Sequence, residues 1–298
     1  MTGKDGTAAR PQAGPRTVAG TTLQRISLGG TAADLVRGED LRRMVVTALG
    51  GSGHPLLLAS ANLDHVHHFG AGGAYDGFFT SPARHPGWLV TLDGAPLVAA
   101  AQRVTGASWP PLTGAEWLPG LLALAEEHGA RVGLLGATAD VHRRLRVLAA
   151  ERWPRLELSG TWLAGPAELG DPAERARLAD EIRVAGTDVL AVCLGKPRQE
   201  LWLDEFAGAA GIRVGACFGG AANAMVGENR RAPEVVQRMG AEWLWRLASE
   251  PRRLWRRYLV QGPPAYLRLR RPALSYAASQ TLGPAASVPG PATGGSDR

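Results

Sequence analysis

The chain has 298 residues, of which 45% are hydrophobic, and a formal net charge of +6. This length and composition exclude a disordered chain and predict a sizeable core. The two cysteines are too few for a disulfide-stapled scaffold. No apolar run reaches the roughly 20 residues of a bilayer span, and none follows the first residues as in a signal peptide. Any membrane contact is therefore expected to be peripheral, and the positive charge favours anionic partners: nucleic acid, anionic lipid or phosphorylated small molecules.

Short apolar runs alternate with amphipathic segments along most of the chain, which predicts an α/β protein with a parallel sheet. The predicted strands are 56–59, 88–92, 131–135, 156–159, 189–194 and 212–218, and the predicted helices are 117–128, 139–151, 172–185 and 201–206. Residues 1–18 and 277–298 are predicted to be disordered tails. Two strands contain Cys193 and Cys217, which we interpret as buried hydrophobes rather than a disulfide.

Polar residues that directly follow strands are the candidates for a site, because ligands bind at the carboxyl ends of parallel strands. Asp93 follows the run 88–92 and precedes Gly94, so its carboxylate is expected to face a cleft, where it can act as a general base. Asp-Gly pairs are also ordinary turn formers, and the pair alone does not decide between the two interpretations. Ser60 and Asn62 follow the preceding strand.

The segment 62–68, Asn-Leu-Asp-His-Val-His-His, contains potential metal ligands at helical spacing. Asp64 and His68 are spaced i, i+4, and His65 and His68 are spaced i, i+3. No further ligand with recognisable spacing follows downstream, so no metal site is predicted. The favoured interpretation is a helix start at which Asn62 or His65 has a base-contacting role.

The loop 195–200, Gly-Lys-Pro-Arg-Gln-Glu, lies between a predicted strand and a predicted helix. Proline near a helix start and acidic or amide residues in the first turn predict an N-terminus whose free N–H groups attract phosphate. Lys196 and Arg198 would add positive charge. A solvated basic turn fits the residues equally well. Gly219 and Gly220 end the next strand, and glycine at strand ends favours anion pockets built from backbone N–H groups.

The segment 242–258 interleaves tryptophan and tyrosine with arginine. Arg246, Arg253 and Arg256 are spaced i, i+7 and i+10, which on one helix is a single face. Pro251 interrupts that spacing and can start a second helix. The pattern suits an interfacial helix on anionic lipid. RNA binding and a solvated face with tryptophan in the core are the alternatives.

Together these segments resemble the WecG/TagA/CpsF family of glycosyltransferases. The resemblance covers about residues 56–269 and is most specific in the loop 195–200, in 227–233 (Gly-Glu-Asn-Arg-Arg-Ala-Pro) and in 242–253 (Glu-Trp-Leu-Trp-Arg-Leu-Ala-Ser-Glu-Pro-Arg-Arg). It implies a Rossmann-like parallel sheet flanked by helices in a core at 19–241. A basic, aromatic, membrane-proximal helical appendage at 242–276 would follow.

The resemblance also implies roles for individual residues. The catalytic set comprises the general base Asp93 with Ser60, Asn62 and Gln199. The cations expected to bind the donor diphosphate are Lys196, Arg198, Arg246, Arg253 and Arg256. The other expected pocket residues are Gly94, Gly195, Gly219, Gly220 and Asn223. This chain departs from the family pattern at 111–117, where it reads Pro-Leu-Thr-Gly-Ala-Glu-Trp, and at 222–224, which is Ala-Asn-Ala.

The implied activity is inverting transfer of a sugar, most like N-acetylmannosamine, from a UDP-sugar to an undecaprenyl-diphosphate-linked acceptor in cell-surface polysaccharide or teichoic acid biosynthesis. The arginines and Lys196 would replace a divalent metal, so neither metal nor cofactor is expected. The expected location is cytoplasmic, on the anionic inner face of the cell membrane. The resemblance allows a homo-oligomer and predicts no nucleic-acid partner. The alternatives are a nucleotide-sugar-binding protein of the same fold with lost or altered transferase activity, and a basic RNA-binding protein.

Overall fold

A computed structural model describes residues 14–51, 53–81, 84, 86–228 and 242–270. The predicted C-terminal tail and residues 1–13 of the predicted N-terminal tail lie outside the described residues. Residues 14–18, also in the predicted N-terminal tail, instead form a strand that pairs antiparallel with 21–25. Residues 14–18 therefore differ from the predicted disordered tail.

Two sheets contain the strands of the described residues. The smaller sheet is antiparallel and consists of β1 (Gly14–Val18), β2 (Thr21–Leu28) and β3 (Thr31–Leu35). The larger sheet is parallel and consists of β4 (Leu56–Ala61), β5 (Trp88–Leu92), β6 (Val132–Gly136), β7 (Leu158–Trp162), β8 (Val189–Cys193) and β9 (Val214–Cys217). Its spatial order is β5-β4-β9-β8-β6-β7. The parallel sheet confirms the predicted fold class, although β7 lies later than the predicted 156–159, and the small sheet was not predicted.

Helices flank the parallel sheet and extend beyond it. The helices of the core are α1 (Gly38–Gly50), α2 (Leu63–Phe69), α3 (Ala95–Thr105), α4 (Gly114–Glu127), α5 (Ala139–Arg152), α6 (Pro166–Gly170), α7 (Pro172–Val184), α8 (Arg198–Phe206) and α9 (Ala221–Met225), with a 3-10 turn at Phe78–Thr80. The C-terminal helices are α10 (Glu242–Ser249), α11 (Pro251–Trp255), a π-helical segment (Arg256–Gln261) and α12 (Gly262–Arg270). Several core helices begin at side chains that accept a backbone N–H, namely Asn62, Thr113, Thr138 and Asp171.

The parallel sheet is buried on both faces except at its edge strand β7, whose residues are only partly buried. In β4, Leu57 and Ala59 pack in one core layer with α2, α7 and α8, whereas Leu56 and Leu58 pack in the other layer with α1, α4 and α5. Strands that are covered on both faces consist of continuous apolar residues, which is why the sequence revealed them. The free cysteines, on β8 and β9, are buried as predicted.

The small sheet covers β5, which is an edge strand of the parallel sheet. The fully buried Asp34 in β3 accepts a hydrogen bond from the backbone N–H of Val90 over 2.8 Å and two from Arg25 over 2.7 Å each. Arg25 also donates to the carbonyl oxygen of Trp88 over 3.1 Å. The polar groups at this edge are therefore satisfied inside the molecule rather than left for another strand.

The six strands of the larger sheet run parallel, so their carboxyl ends lie along one edge of that sheet. The connection from β4 to β5 uses α2 in the first core layer, and the connection from β5 to β6 uses α3 in that same layer and then α4 in the second. The carboxyl ends of β4 and β5 lie side by side at this edge, where open α/β sheets bind ligands.

Candidate active site

The carboxyl ends of β4 and β5 bring Asn62 and Asp93 together. The side-chain Nδ2 of Asn62 donates to Oδ2 of Asp93 over 3.1 Å, and its Oδ1 accepts from the backbone N–H of His65 over 3.1 Å. Both ends of the amide are therefore fixed, and the amide in turn orients the carboxylate. Asp93 is half-buried and directly follows β5, so it occupies the strand-end position that the sequence predicted.

Ser60 and Gly94 flank this pair. Ser60 is partly exposed and lies opposite Thr91 in the ladder between β4 and β5. Gly94 has φ +84°, a backbone conformation that other residues rarely adopt. The Asp-Gly sequence consequently forms a turn and also presents the carboxylate at the strand end, so the two interpretations of the sequence are compatible.

The loop after β8 does not present its lysine to solvent. The Lys196 side chain is only 6% exposed, and its Nζ lies 2.9 Å from Oε1 of the fully buried Glu200. Burial lowers the pKa of Lys196, but the charge and hydrogen bond of Glu200 outweigh it, and the pKa is raised from its ordinary value. An ammonium that is buried and already paired is less available to a diphosphate than an exposed one. Lys196 is an ion-pair partner of Glu200, and its predicted contact with the donor diphosphate stays a prediction.

The next two residues of this loop also have partners within the protein. Arg198 is exposed at the start of α8, and its guanidinium donates to the carbonyl oxygen of Leu194 over 2.7 Å. Gln199 is buried: its Oε1 accepts from the backbone N–H of Gly219 over 3.1 Å, and its Nε2 donates to Glu200 over 3.0 Å. Gln199 thereby connects the loop after β8 with the loop after β9.

The remaining predicted pocket residues lie on these two loops. Gly195 and Gly219 have positive φ values, +75° and +53°, and Gly220 precedes α9. Because β9 lies between β4 and β8, its loop separates Asn62 from the loop 195–200. The Nδ2 of Asn223 donates to Glu228 over 2.6 Å, which ties this amide to its own segment.

The histidines near Asn62 are packed differently from one another. His65 is fully buried, and its Nε2 lies 3.1 Å from Oγ1 of Thr31. Burial, with the charges of Lys196 and His68, lowers the pKa of His65 well below its ordinary value, so the ring is neutral. Of the two residues predicted to have a base-contacting role, only Asn62 contacts Asp93. Within the described residues, no group of three or more His, Cys, Asp and Glu side chains is placed to hold a metal ion.

The arginines at 246, 253 and 256 lie on more than one of the C-terminal helical segments. α10 ends at Ser249, and Pro251 starts α11 with Glu250 as its N-cap residue, as the second-helix interpretation expected. Arg246 and Arg256 are exposed and lie on separate helical segments, so the three arginines do not lie on one continuous helix. The side chain of Arg253 lies outside the described residues, and in the part of the chain that is described no hydrogen bond or ion pair joins Arg246 or Arg256 to Asp93.

The appendage rests on α2, the helix whose N-cap is Asn62. Ala265 and Leu269 of α12 are buried in the core layer that contains α2. Arg257 Nε lies 3.6 Å from Oδ2 of Asp64, and Arg268 donates to the carbonyl oxygen of Val66 over 3.3 Å. Nothing in the sequence distinguished Arg257 from its neighbouring arginines, since its acidic partner lies far away in the chain.

The outer surface of the appendage is apolar and basic. Its exposed large apolar side chains are Trp243, Leu244, Trp255, Leu259, Val260, Tyr266 and Leu267. Arg252 and Arg256 are exposed among them. No helix in the described ranges is long and apolar enough to cross a membrane.

One family model, the glycosyl transferase WecG/TagA/CpsF family, matches residues 26–279. The match spans the parallel sheet, the strand ends with Asn62 and Asp93, and the appendage. The chain belongs to the WecG/TagA/CpsF family of glycosyltransferases. In this WecG/TagA/CpsF protein, the match begins before the 56–269 of the sequence resemblance and so includes β3 and α1. Most of the motif 227–233 lies outside the described residues.

Proposed function

We propose that the protein is an inverting, metal-independent glycosyltransferase that acts at the inner face of the cell membrane. It moves a sugar, most like N-acetylmannosamine, from a UDP-sugar to the terminal sugar of an undecaprenyl-diphosphate lipid. The product would enter cell-surface polysaccharide or teichoic acid biosynthesis. Family membership supports the glycosyltransferase class, and the donor, the acceptor and the stereochemistry are parts of the proposal.

The observation that carries the proposal is the Asn62 and Asp93 pair at the carboxyl ends of β4 and β5. In the proposed step, Asp93 removes the proton from the acceptor hydroxyl, whose oxygen bonds to the anomeric carbon from the face opposite UDP. The bond between that carbon and the UDP oxygen breaks, and UDP leaves as an anion. The amide of Asn62 holds the carboxylate in one orientation, which reduces the rearrangement needed to reach the reactive geometry.

Leaving UDP carries negative charge that positive groups must stabilise. Because Lys196 is committed to Glu200, we assign this role to the appendage arginines Arg246, Arg253 and Arg256. They would bind the diphosphate once donor and acceptor are in place, and they would serve in place of a divalent metal. The Arg257 contact with Asp64 supports a position of the appendage next to the site.

The exposed apolar and basic surface of the appendage supports a lipid-bound acceptor. Tryptophan, tyrosine and leucine side chains can enter the interface of a bilayer, while each nearby arginine contributes on the order of 1 kcal/mol on anionic lipid. RNA recognition would need aromatic rings placed for stacking on bases along a charged groove. The surface instead mixes exposed aliphatic residues such as Leu259 and Val260 with its arginines, which favours lipid.

The test is a screen of UDP-sugars against a short-chain lipid-diphosphate-N-acetylglucosamine acceptor, read by mass spectrometry with and without EDTA. We expect one donor to give a product heavier by one sugar, at the same rate in both conditions. Binding of UDP without transfer from any donor would instead favour a nucleotide-sugar-binding protein. Loss of the product in EDTA would contradict the metal-independent mechanism.

A further inference from the structure

A buried polar chain links Lys196 to the loop after β9. Lys196 Nζ and Gln199 Nε2 both donate to the same oxygen of Glu200, over 2.9 and 3.0 Å. Gln199 Oε1 then accepts from the backbone N–H of Gly219 over 3.1 Å. Glu200 and Gln199 are 0% and 2% exposed, so the hydrogen bond between them is shielded from water.

The charge of Glu200 determines which way round the Gln199 amide lies. A carboxylate only accepts hydrogen bonds, so the NH₂ end of the amide must face Glu200. The carbonyl end then faces the Gly219 N–H, which needs an acceptor. If the amide were reversed, a carbonyl would face a carboxylate and an NH₂ would face an N–H, and both buried contacts would be repulsive and unsatisfied.

We propose that Glu200 is a positioning residue, which acts through Gln199 to hold the Gly219-Gly220 turn in the conformation that binds the donor diphosphate. The turn lies at the centre of the strand-end edge, between Asn62 and the loop 195–200. Lys196 balances the charge of Glu200 and does not contact the donor. This inference rests on the proposed function for the identity of the ligand at the turn.

A simpler role for the ion pair would be mutual neutralisation, with no influence on the turn. Two double variants of the full-length protein separate these roles. Lys196→Met with Glu200→Leu removes both charges and also the acceptor for Gln199, and apolar replacement of a buried ion pair is often neutral for stability. Lys196→Met with Glu200→Gln removes both charges but keeps a carbonyl acceptor, and it is the conservative rescue.

UDP is the probe, and its dissociation constant is measured by titration calorimetry beside the unfolding temperature of each variant. We expect the Leu double variant to bind UDP about tenfold more weakly than the wild type, the order of one lost buried hydrogen bond. The Gln double variant should bind UDP within about threefold of the wild type. Equal UDP affinity in the two variants would overturn the positioning role.

Amide hydrogen exchange at Gly219, followed by NMR, tests the inference without any ligand. In the wild type the Gly219 amide should exchange slowly because Gln199 accepts its hydrogen, and this protection should fall in the Leu double variant but persist in the Gln double variant. A wild-type Gly219 amide that exchanges as fast as exposed loop amides would overturn the inference, whichever variants fold. Protection at Gly219 in a protein that binds no UDP would contradict the proposed function alone.

Discussion

The loop 195–200 and the appendage 242–270 are both basic, and both resemble anion-binding segments in sequence. The cations of the two regions nevertheless differ in burial and in pairing. Lys196 has an acidic residue four positions on, in the first turn of α8, and the two side chains are buried together. Arg246 and Arg256 of the appendage are exposed. Burial and a local counter-charge, rather than charge content, therefore decide which cations remain available to a ligand.

The difference extends to what each region contacts. The loop 195–200 is tied to the loop after β9 through Gln199 and Gly219, so it belongs to the rigid edge of the sheet. The appendage contacts α2 through Arg257 and Arg268 and leaves an apolar and basic surface outside. The first region can shape a site, and the second can supply charge and contact a membrane.

The largest expected effect is the loss of turnover when the carboxylate of Asp93, the proposed general base, is replaced. Asp93→Asn keeps an acceptor for Asn62 but removes the basic oxygen, so turnover should fall by about 10²- to 10⁴-fold with little change in the unfolding temperature. Turnover is measured with the donor found in the screen. Asp180→Asn, at an exposed ion pair on α7, is the matched control and should keep its turnover. An Asp93→Asn variant with full turnover would remove the base assignment.

Measurements of unfolding stability should distinguish the buried cation, Lys196, from an exposed one, Arg256. Lys196→Met leaves the carboxylate of Glu200 buried without its ion-pair partner and should lower the free energy of unfolding by about 3–5 kcal/mol. Arg256→Met, at an exposed side chain, should change it by less than about 0.5 kcal/mol while reducing turnover. Urea unfolding of both variants measures the contrast. Similar losses of stability in the two variants would contradict the comparison.

The contribution of the exposed apolar side chains of the appendage should be measurable as partition of the protein onto vesicles. Trp255→Ser with Leu259→Ser removes two exposed apolar side chains and should weaken partition onto vesicles of anionic phospholipid by about tenfold or more. Leu163→Ser with Val184→Ser removes two comparably exposed apolar side chains outside the appendage and should leave partition unchanged. If the two double variants partition alike, the appendage is not the membrane-binding surface.

The smallest expected effect is a pH dependence of the free energy of unfolding, which arises from His65. The pKa of His65 in the folded protein lies well below its ordinary value, so the unfolded chain binds an additional proton when the pH falls below about 6.5. The stabilisation by neutral His65 is thus present above that pH and decreases below it, by at most about 1.4 kcal/mol per pH unit. His65→Gln should show a shallower decrease in urea unfolding between pH 7 and pH 5. Identical slopes would show that His65 does not titrate in this range.

Much of the fold could be predicted from the sequence, and the reason is visible in β4 and β8. Both strands are covered on both faces, and β8 and the first four residues of β4 are therefore continuous runs of apolar residues. The hairpin of β1 and β2 alternates partly exposed, exposed and buried residues over short lengths, and its role as a cover for β5 depends on the Asp34 contact with Val90. That contact joins distant parts of the chain and leaves no local pattern.

The candidate site likewise contains residues that could be located from the sequence and features that could not. Asp93 and Asn62 could be located because each follows a recognisable strand, and parallel strands bring their ends to one edge. The burial of Lys196 could not be inferred, although the spacing to Glu200 was present, because the same spacing occurs on exposed helix surfaces. Arg246 lies on a different helix from Arg256 because Pro251 starts a new helix, as the second-helix interpretation of the sequence expected.

The sequence by itself determined the family, the parallel sheet and the residues at its strand ends, since these depend on local apolar runs and on motifs that neighbouring residues form. Only the tertiary structure decided which cations are available and where the appendage docks. Arg268 and Val66 are in contact although they are 202 positions apart. A contact of this kind arises from the packing of α12 against α2, and a side chain's burial and partners are properties of that packing rather than of its neighbours in the chain.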